Sequence, residues 1–348
     1  MPEAILEPDL PIVDPHHHLW HRTGAPAMPT PPPGPVHPFT TVVARTPRYL
    51  LDELLADMTS GHNVVATVFV QCGAMYRADA PDALKPVGET EFVNGVAAMG
   101  ASGVYGKARP CAGIVGHADC TLGEGIDAVL EAHLKVSDRF RGIRHSSSHD
   151  ADSGVLGPLS RQSPGLYMSD AFRKGYARLA RYGLSFDAWL LEPQLPEVYD
   201  LVKGHPDIPV VIDHVGTPLG LASYEGRREE RFPIWRENMK KLAELPHVNV
   251  KLGGLAMAFC NFPSFLADPP APSSQLAAEW KPYLESCIEL FGPGRCMFES
   301  NFPVDLGSCD YATLWNAFKA FAKGYSADEK ADLFAGTAKR VYRLKLPN

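Results

Sequence analysis

Eight short apolar runs, most of them followed by a stretch of helical periodicity, limit what this chain can fold into. The runs are PIVDPH (11–16), VVATVFVQ (64–71), RPCAGIVGH (109–117), FRGIRH (140–145), LSFDAWLL (184–191), IPVVIDH (208–214), VNVKLGG (248–254) and RCMFES (295–300). Most are apolar at consecutive positions, so both faces need cover, as in parallel strands flanked by helices. Leu51, Leu54, Leu55 and Met58 form one stripe within 48–60, before Gly61. Ser169 can cap a helix over 170–182 that buries Phe172, Tyr176 and Leu179 and stops at Gly183. Leu276, Trp280, Leu284, Ile288 and Phe291 line up within 275–291, and Ser326 with Glu329 has capping-box spacing. This alternation predicts a (β/α)8 barrel as one domain over 1–348. A doubly wound sheet is the alternative, but no glycine-rich phosphate turn follows the first run.

Composition narrows the function classes. Lys and Arg number 33 against 40 Asp and Glu, a net charge of −7, which leaves no basic stripe for nucleic acid. No apolar run is long enough to span a bilayer, and the acidic start MPEAILEPDL lacks the look of a secretion signal, so a cytoplasmic location is expected. The seven cysteines form no CxxC pair and read as reduced, buried thiols. Two long irregular segments stand out. Residues 26–38, with seven prolines, read as a stiff first βα loop over the barrel mouth, and 261–274 as a second long loop after strand seven.

The strongest chemical signal is Asp14-Pro15-His16-His17-His18 at the end of the first run. Side chains two apart on a strand share a face, so His16 and His18 project together and His17 away, a pair suited to one divalent ion, zinc first. Other polar residues also fall at strand ends or within strands: His117, Arg144, His145, Asp187, Asp213, His214, Lys251, Glu299, Asn301 and Asp305. A barrel gathers its strand ends at one mouth, which turns a scattered set into one pocket. Asp187 and Lys251, lying mid-strand, have a second reading as a buried ion pair. Arg227 to Arg231 read as a solvated face, His133, His205 and His247 as unconnected with chemistry, and Glu91 as a residue favouring a helix N-terminus.

Taken in order, IVDPHHHLW, VFVQCG, GETEFVNGVAAM with AGIVGHADC, RFRGIRH, LSFDAWLLEPQLPEV, VVIDHVGTPLG, NVKLGGL and RCMFESNFPVD resemble the amidohydrolase superfamily, in its branch of lactonases and related barrel hydrolases. The resemblance covers nearly the whole chain. It implies a distorted barrel and hydrolysis of a lactone, ester or amide-like bond. His16 and His18 match the superfamily's strand-one metal pair, and His214 matches its strand-six histidine. The sequence departs where Asp187 and Trp189 replace a strand-five histidine, and where Asn301 replaces the aspartate that serves as general base. Some relatives in this branch work without a required metal, so a metal-independent course is open.

The expected substrate is a small anionic cyclic ester, such as a sugar-acid or aromatic-catabolite lactone. Arg144, His145 and Lys251 would hold its carboxylate or the oxyanion, with His117 and Asp187 beside them. His214, Glu299 and Asp305 are the candidate bases in place of Asn301; Glu299 would share a face with Asn301 if the strand stayed extended. A decarboxylase or C–C lyase, or a silent barrel that binds a metabolite, are the alternatives. A homo-oligomer is compatible with the sequence.

Overall fold

The apolar runs become eight parallel strands whose order in the sheet follows the chain. They are β1 (Pro11–His17), β2 (Asn63–Val70), β3 (Arg109–Gly116), β4 (Phe140–Arg144), β5 (Ser185–Ala188), β6 (Val210–Ile212), β7 (Val248–Leu252) and β8 (Cys296–Phe298). A helix follows each strand: α1 (Leu51–Met58), α2 (Val87–Ala101), α3 (Ile126–Val136), α4 (Asp170–Ala177), α5 (Leu195–Val202), α6 (Arg228–Ala243), α7 (Ser273–Phe291) and α8 (Tyr311–Phe321). The architecture is the expected (β/α)8 barrel. This computed structural model describes residues 3–22 and 36–347, so most of the proline-rich stretch lies outside the described residues.

The barrel closes between its first and last strands. His18 donates its backbone N–H to the Phe302 carbonyl at 2.8 Å, and Asn301 donates to the His16 carbonyl at 2.8 Å. The Asp14 carboxylate ties this seam. It accepts from the Ser300 N–H at 3.0 Å, the Ser300 hydroxyl at 2.6 Å and the Tyr311 hydroxyl at 3.0 Å.

Local chemistry sets the helix ends. Ser169 caps α4 through the Phe172 N–H, and the run continues after a break as Leu179–Tyr182 before Gly183 at φ 61°. Ser326 and Glu329 form the expected reciprocal capping box. The expected helix over 48–60 is shorter, because Arg48–Tyr49 pairs as a small antiparallel ribbon with Trp20–His21. Outside the barrel, the main core packs Leu54, Phe140, Trp235 and Trp280 between sheet and helices. A smaller apolar cluster of Val13, Val68, Val115, Val211 and Met297 is joined by Ala338 and Tyr342 from the C-terminal segment.

Strands β5, β6 and β8 end earlier than their apolar runs. Beyond β6 the backbone turns into the left-handed region at His214 (φ 57°) and Val215 (φ 48°), and beyond β8 at Asn301 (φ 54°). These turns steer side chains across the mouth instead of along the strands, at a local cost in backbone strain. Six of the seven cysteines are buried and all are free thiols. No helix among the described residues is long and apolar enough to cross a membrane.

Candidate active site

Below the mouth lies a sealed set of charges. Lys251, from the middle of β7, donates to Asp187 of β5 at 2.7 Å and to Asp213 after β6 at 2.9 Å, and all three are fully buried. The Tyr342 hydroxyl completes the Asp187 side at 2.6 Å. The structure thus gives Asp187 and Lys251 the ion-pair role. Neither lines the cavity above, which corrects the expectation that they touch substrate. Burial works against the Asp213 charge, but Lys251, His214 and Arg144 hold its carboxyl below the usual value.

His16 and His214 meet over Glu299. Glu299 Oε1 lies 2.7 Å from His214 Nδ1, and Oε2 lies 2.7 Å from His16 Nδ1. With Nδ1–H of His214 directed at the carboxylate, its Nε2 is left to carry or take a proton at the floor of the cavity. Close packing requires the two glycines after β7. A Cβ on Gly254 would sit 2.4 Å from the His214 ring, and one on Gly253 would sit 2.4 Å from the Glu299 Cγ. Glu299 itself does not line the cavity; it positions His214. Burial, then Lys251 and its neighbours, hold His16 well below the usual imidazole value, so its ring is neutral.

The expectation that Glu299 and Asn301 share a strand face fails, because the chain leaves β8 before them. Asn301 lines the cavity and donates to Asp305 Oδ1 at 2.7 Å. Asp305 lies behind it, fully buried, and burial pushes its carboxyl well above the usual range. It therefore reaches the cavity only through Asn301, which corrects its place among the candidate bases.

The cavity measures about 520 Å³. His18, His117, Arg144, His145 and His214 all line it, as the convergence of strand ends predicts. Arg144 contributes Nη1 toward Asp213 at 3.5 Å and His16 at 3.3 Å, while Nη2 donates to the Gln71 carbonyl and the buried Nε has no partner. His117 donates through Nδ1 to the Arg144 carbonyl at 3.0 Å. Burial, then His117, pushes His145 down to about 3, so it too is neutral. His17 turns away, as expected, to the Thr67 hydroxyl at 2.8 Å.

Sequence reading missed several contributors. Trp20, Gln71, Trp189, Arg22 and Arg161 also line the cavity. Glu89 sits beneath it, accepting from the N–H groups of Cys72 at 3.0 Å and Ala74 at 2.8 Å. The signal for Glu89 was available: it shares the buried stripe of α2 with Val93, Val96 and Ala97, whereas Glu91 faces out to Arg77.

A divalent ion has a candidate place here. His16, Asp213 and His214 each offer a donor atom, all within 4.8 Å of one another. Two imidazoles with a carboxylate suit zinc. The set shares His16 with the expected His16–His18 pair, and the two rings lie 5.0 Å apart. His18 donates Nδ1–H to the Val70 carbonyl at 2.8 Å and belongs to the cavity wall. Lys251 Nζ at 3.2 Å and Arg144 Nη1 at 3.3 Å flank the two ring nitrogens of His16, so an ion would compete with two fixed cations.

The amidohydrolase family profile matches residues 13–344. The chain belongs to the amidohydrolase family. It is 33% identical to the uncharacterized protein y4mH of Sinorhizobium fredii, over 97% of this chain and 99% of that one. It is 28% identical to an L-fucono-1,5-lactonase of Burkholderia multivorans, over 79% of this chain and 89% of the enzyme. A crystal structure of a Burkholderia multivorans amidohydrolase with bound zinc superposes with a TM-score of 0.71 at 26% identity, covering 96% of this chain and 99% of that one.

Proposed function

We propose that this amidohydrolase opens a small anionic lactone by attack of water at the barrel mouth. The observation that carries the reading is the Glu299–His214 dyad, placed at the floor of a cavity lined by arginine and, among the described residues, by no carboxylate. The similarity to a fucono-lactonase supports the bond type, and the zinc-bound relative supports a divalent ion as a possible resident.

The lactone carbonyl lies near Arg144, whose guanidinium lines the cavity and is the donor for the oxyanion. His214 takes a proton from the attacking water through Nε2, while Glu299 holds the resulting imidazolium. The ring C–O bond breaks, the alkoxide takes that proton back, and a hydroxy acid leaves. When bound by His16 and Asp213, a divalent ion would polarise the carbonyl as a Lewis acid; His214 is kept for the proton, since one nitrogen cannot do both. Neutral His18, His117 and Trp189 shape the wall around the ring.

The test is a lactone screen read by acid release, followed by His214→Asn on the best substrate. We expect kcat to fall at least about a hundredfold. A near-parental kcat removes His214 from proton transfer. Release of CO2 without a hydroxy-acid product replaces hydrolysis with C–C cleavage.

A further inference from the structure

Three arginines line the cavity, but only one belongs to its floor. Arg144 is nearly buried and already faces Asp213. Arg22 and Arg161 are exposed at the rim, with Trp20 and Gln162 beside them. Neither rim guanidinium has a carboxylate partner among the described residues, and the segment 23–35 contains no Asp or Glu that could supply one. Exposed arginines elsewhere, such as Arg48 and Arg227, pair with acids, whereas these two share one opening without a carboxylate.

Packing explains part of the arrangement. The Arg22 guanidinium lies 4.4 Å from the Trp20 ring centre, a favourable cation–π contact. That contact holds Arg22 at the rim, yet it does not explain why a second cation shares the same opening. Like charges gathered without a counter-charge raise the local potential and draw in an anion.

We propose that Arg22 and Arg161 bind a second anionic group of the substrate, a carboxylate or phosphate carried on the lactone away from the scissile ester. The inference rests on the lactonase reading for the first group and extends it to the substrate's far end. The cavity of about 520 Å³ has room for both ends, with the Trp189 indole in the wall beside the ring between them.

The experiment compares kcat/KM for three lactones of one ring size: one neutral, one bearing a terminal carboxylate, one bearing a terminal phosphate. It uses the parent, Arg22→Gln, Arg161→Gln and the double variant, with Arg22→Lys as a charge-retaining control and melting curves to check folding. The acidic-to-neutral ratio should fall about tenfold in each single variant, chiefly through KM, and Arg22→Lys should keep most of it. Whichever acidic lactone shows the loss identifies the group. A ratio unchanged in the double variant overturns the proposal. Calorimetry with inorganic phosphate and with citrate separates the two claims. If no lactone is hydrolysed but the double variant loses anion binding, the rim stands and the lactonase reading falls. Equal binding in parent and double variant, or none in the parent, overturns the rim.

Discussion

The floor of the site and its rim are built on opposite electrostatic rules. At the floor, every charged side chain has a fixed partner: Lys251 with Asp187 and Asp213, Arg144 with Asp213, Glu299 with two imidazoles. At the rim, Arg22 and Arg161 have none among the described residues. Buried charges without partners would unfold the barrel, so the floor has to be complete before substrate arrives. Exposed charges are hydrated by water, so the rim can wait for a ligand. The floor therefore holds geometry, and the rim is free to choose what enters.

The sharpest way to break that contrast is Lys251→Met. It strands two buried carboxylates and should cost about 3–5 kcal/mol in urea denaturation. A loss under about 1 kcal/mol would mean the floor does not depend on pairing.

Glu89 tests whether support beneath the mouth follows the floor's rule. Burial raises its carboxyl from 4.5 to about 7, against the lowering effect of the Cys72 and Ala74 N–H groups. A raised carboxyl favours the folded state below its unfolded value, and that contribution is lost as pH climbs through 7, about 3 kcal/mol in all. Both N–H groups bond to Oε1, while Oε2 is orphaned, so an amide fits the site. Glu89→Gln should flatten the fall in stability between pH 5 and 8 relative to the parent. Parallel stability curves would place the titration elsewhere.

A third measurement asks whether the floor acts by positioning. Glu299→Gln should lower kcat about a hundredfold with KM nearly unchanged and the melting transition retained. A change confined to KM would move Glu299 from proton transfer to binding. The smallest effect concerns metal. Competition from Lys251 and Arg144 predicts a substoichiometric divalent ion in purified protein, lost in His16→Ala. Equal metal in variant and parent by elemental analysis would reject His16 as a ligand.

Much of the fold was legible because parallel strands advertise themselves as fully apolar runs, and all eight runs contain a strand. The floor was partly legible for the same reason: polar residues within or ending such runs, like Lys251 and Asp213, have few places to go except into the barrel. Their partners were harder to read, since pairing depends on neighbours in space, such as Tyr342 reaching Asp187 from 155 positions away. The direction of Glu299 was lost because the chain leaves β8 at Phe298, a turn that the apolar pattern does not encode. The rim left no periodic trace. Arg22 and Arg161 sit on loops, where an arginine in sequence looks like any solvated arginine.

The seam at Asp14 has a consequence for how the molecule is made. Its partner Ser300 lies 286 positions later in the chain. During synthesis, β1 therefore waits with one edge unpaired until most of the chain has left the ribosome, and a nascent barrel is an open sheet exposed to pairing with other chains. The same wait keeps His16 apart from Glu299. A truncated product can keep most of the helices and still lack the buried charge cluster of the floor, so an intact floor marks complete translation in a way that helix content does not.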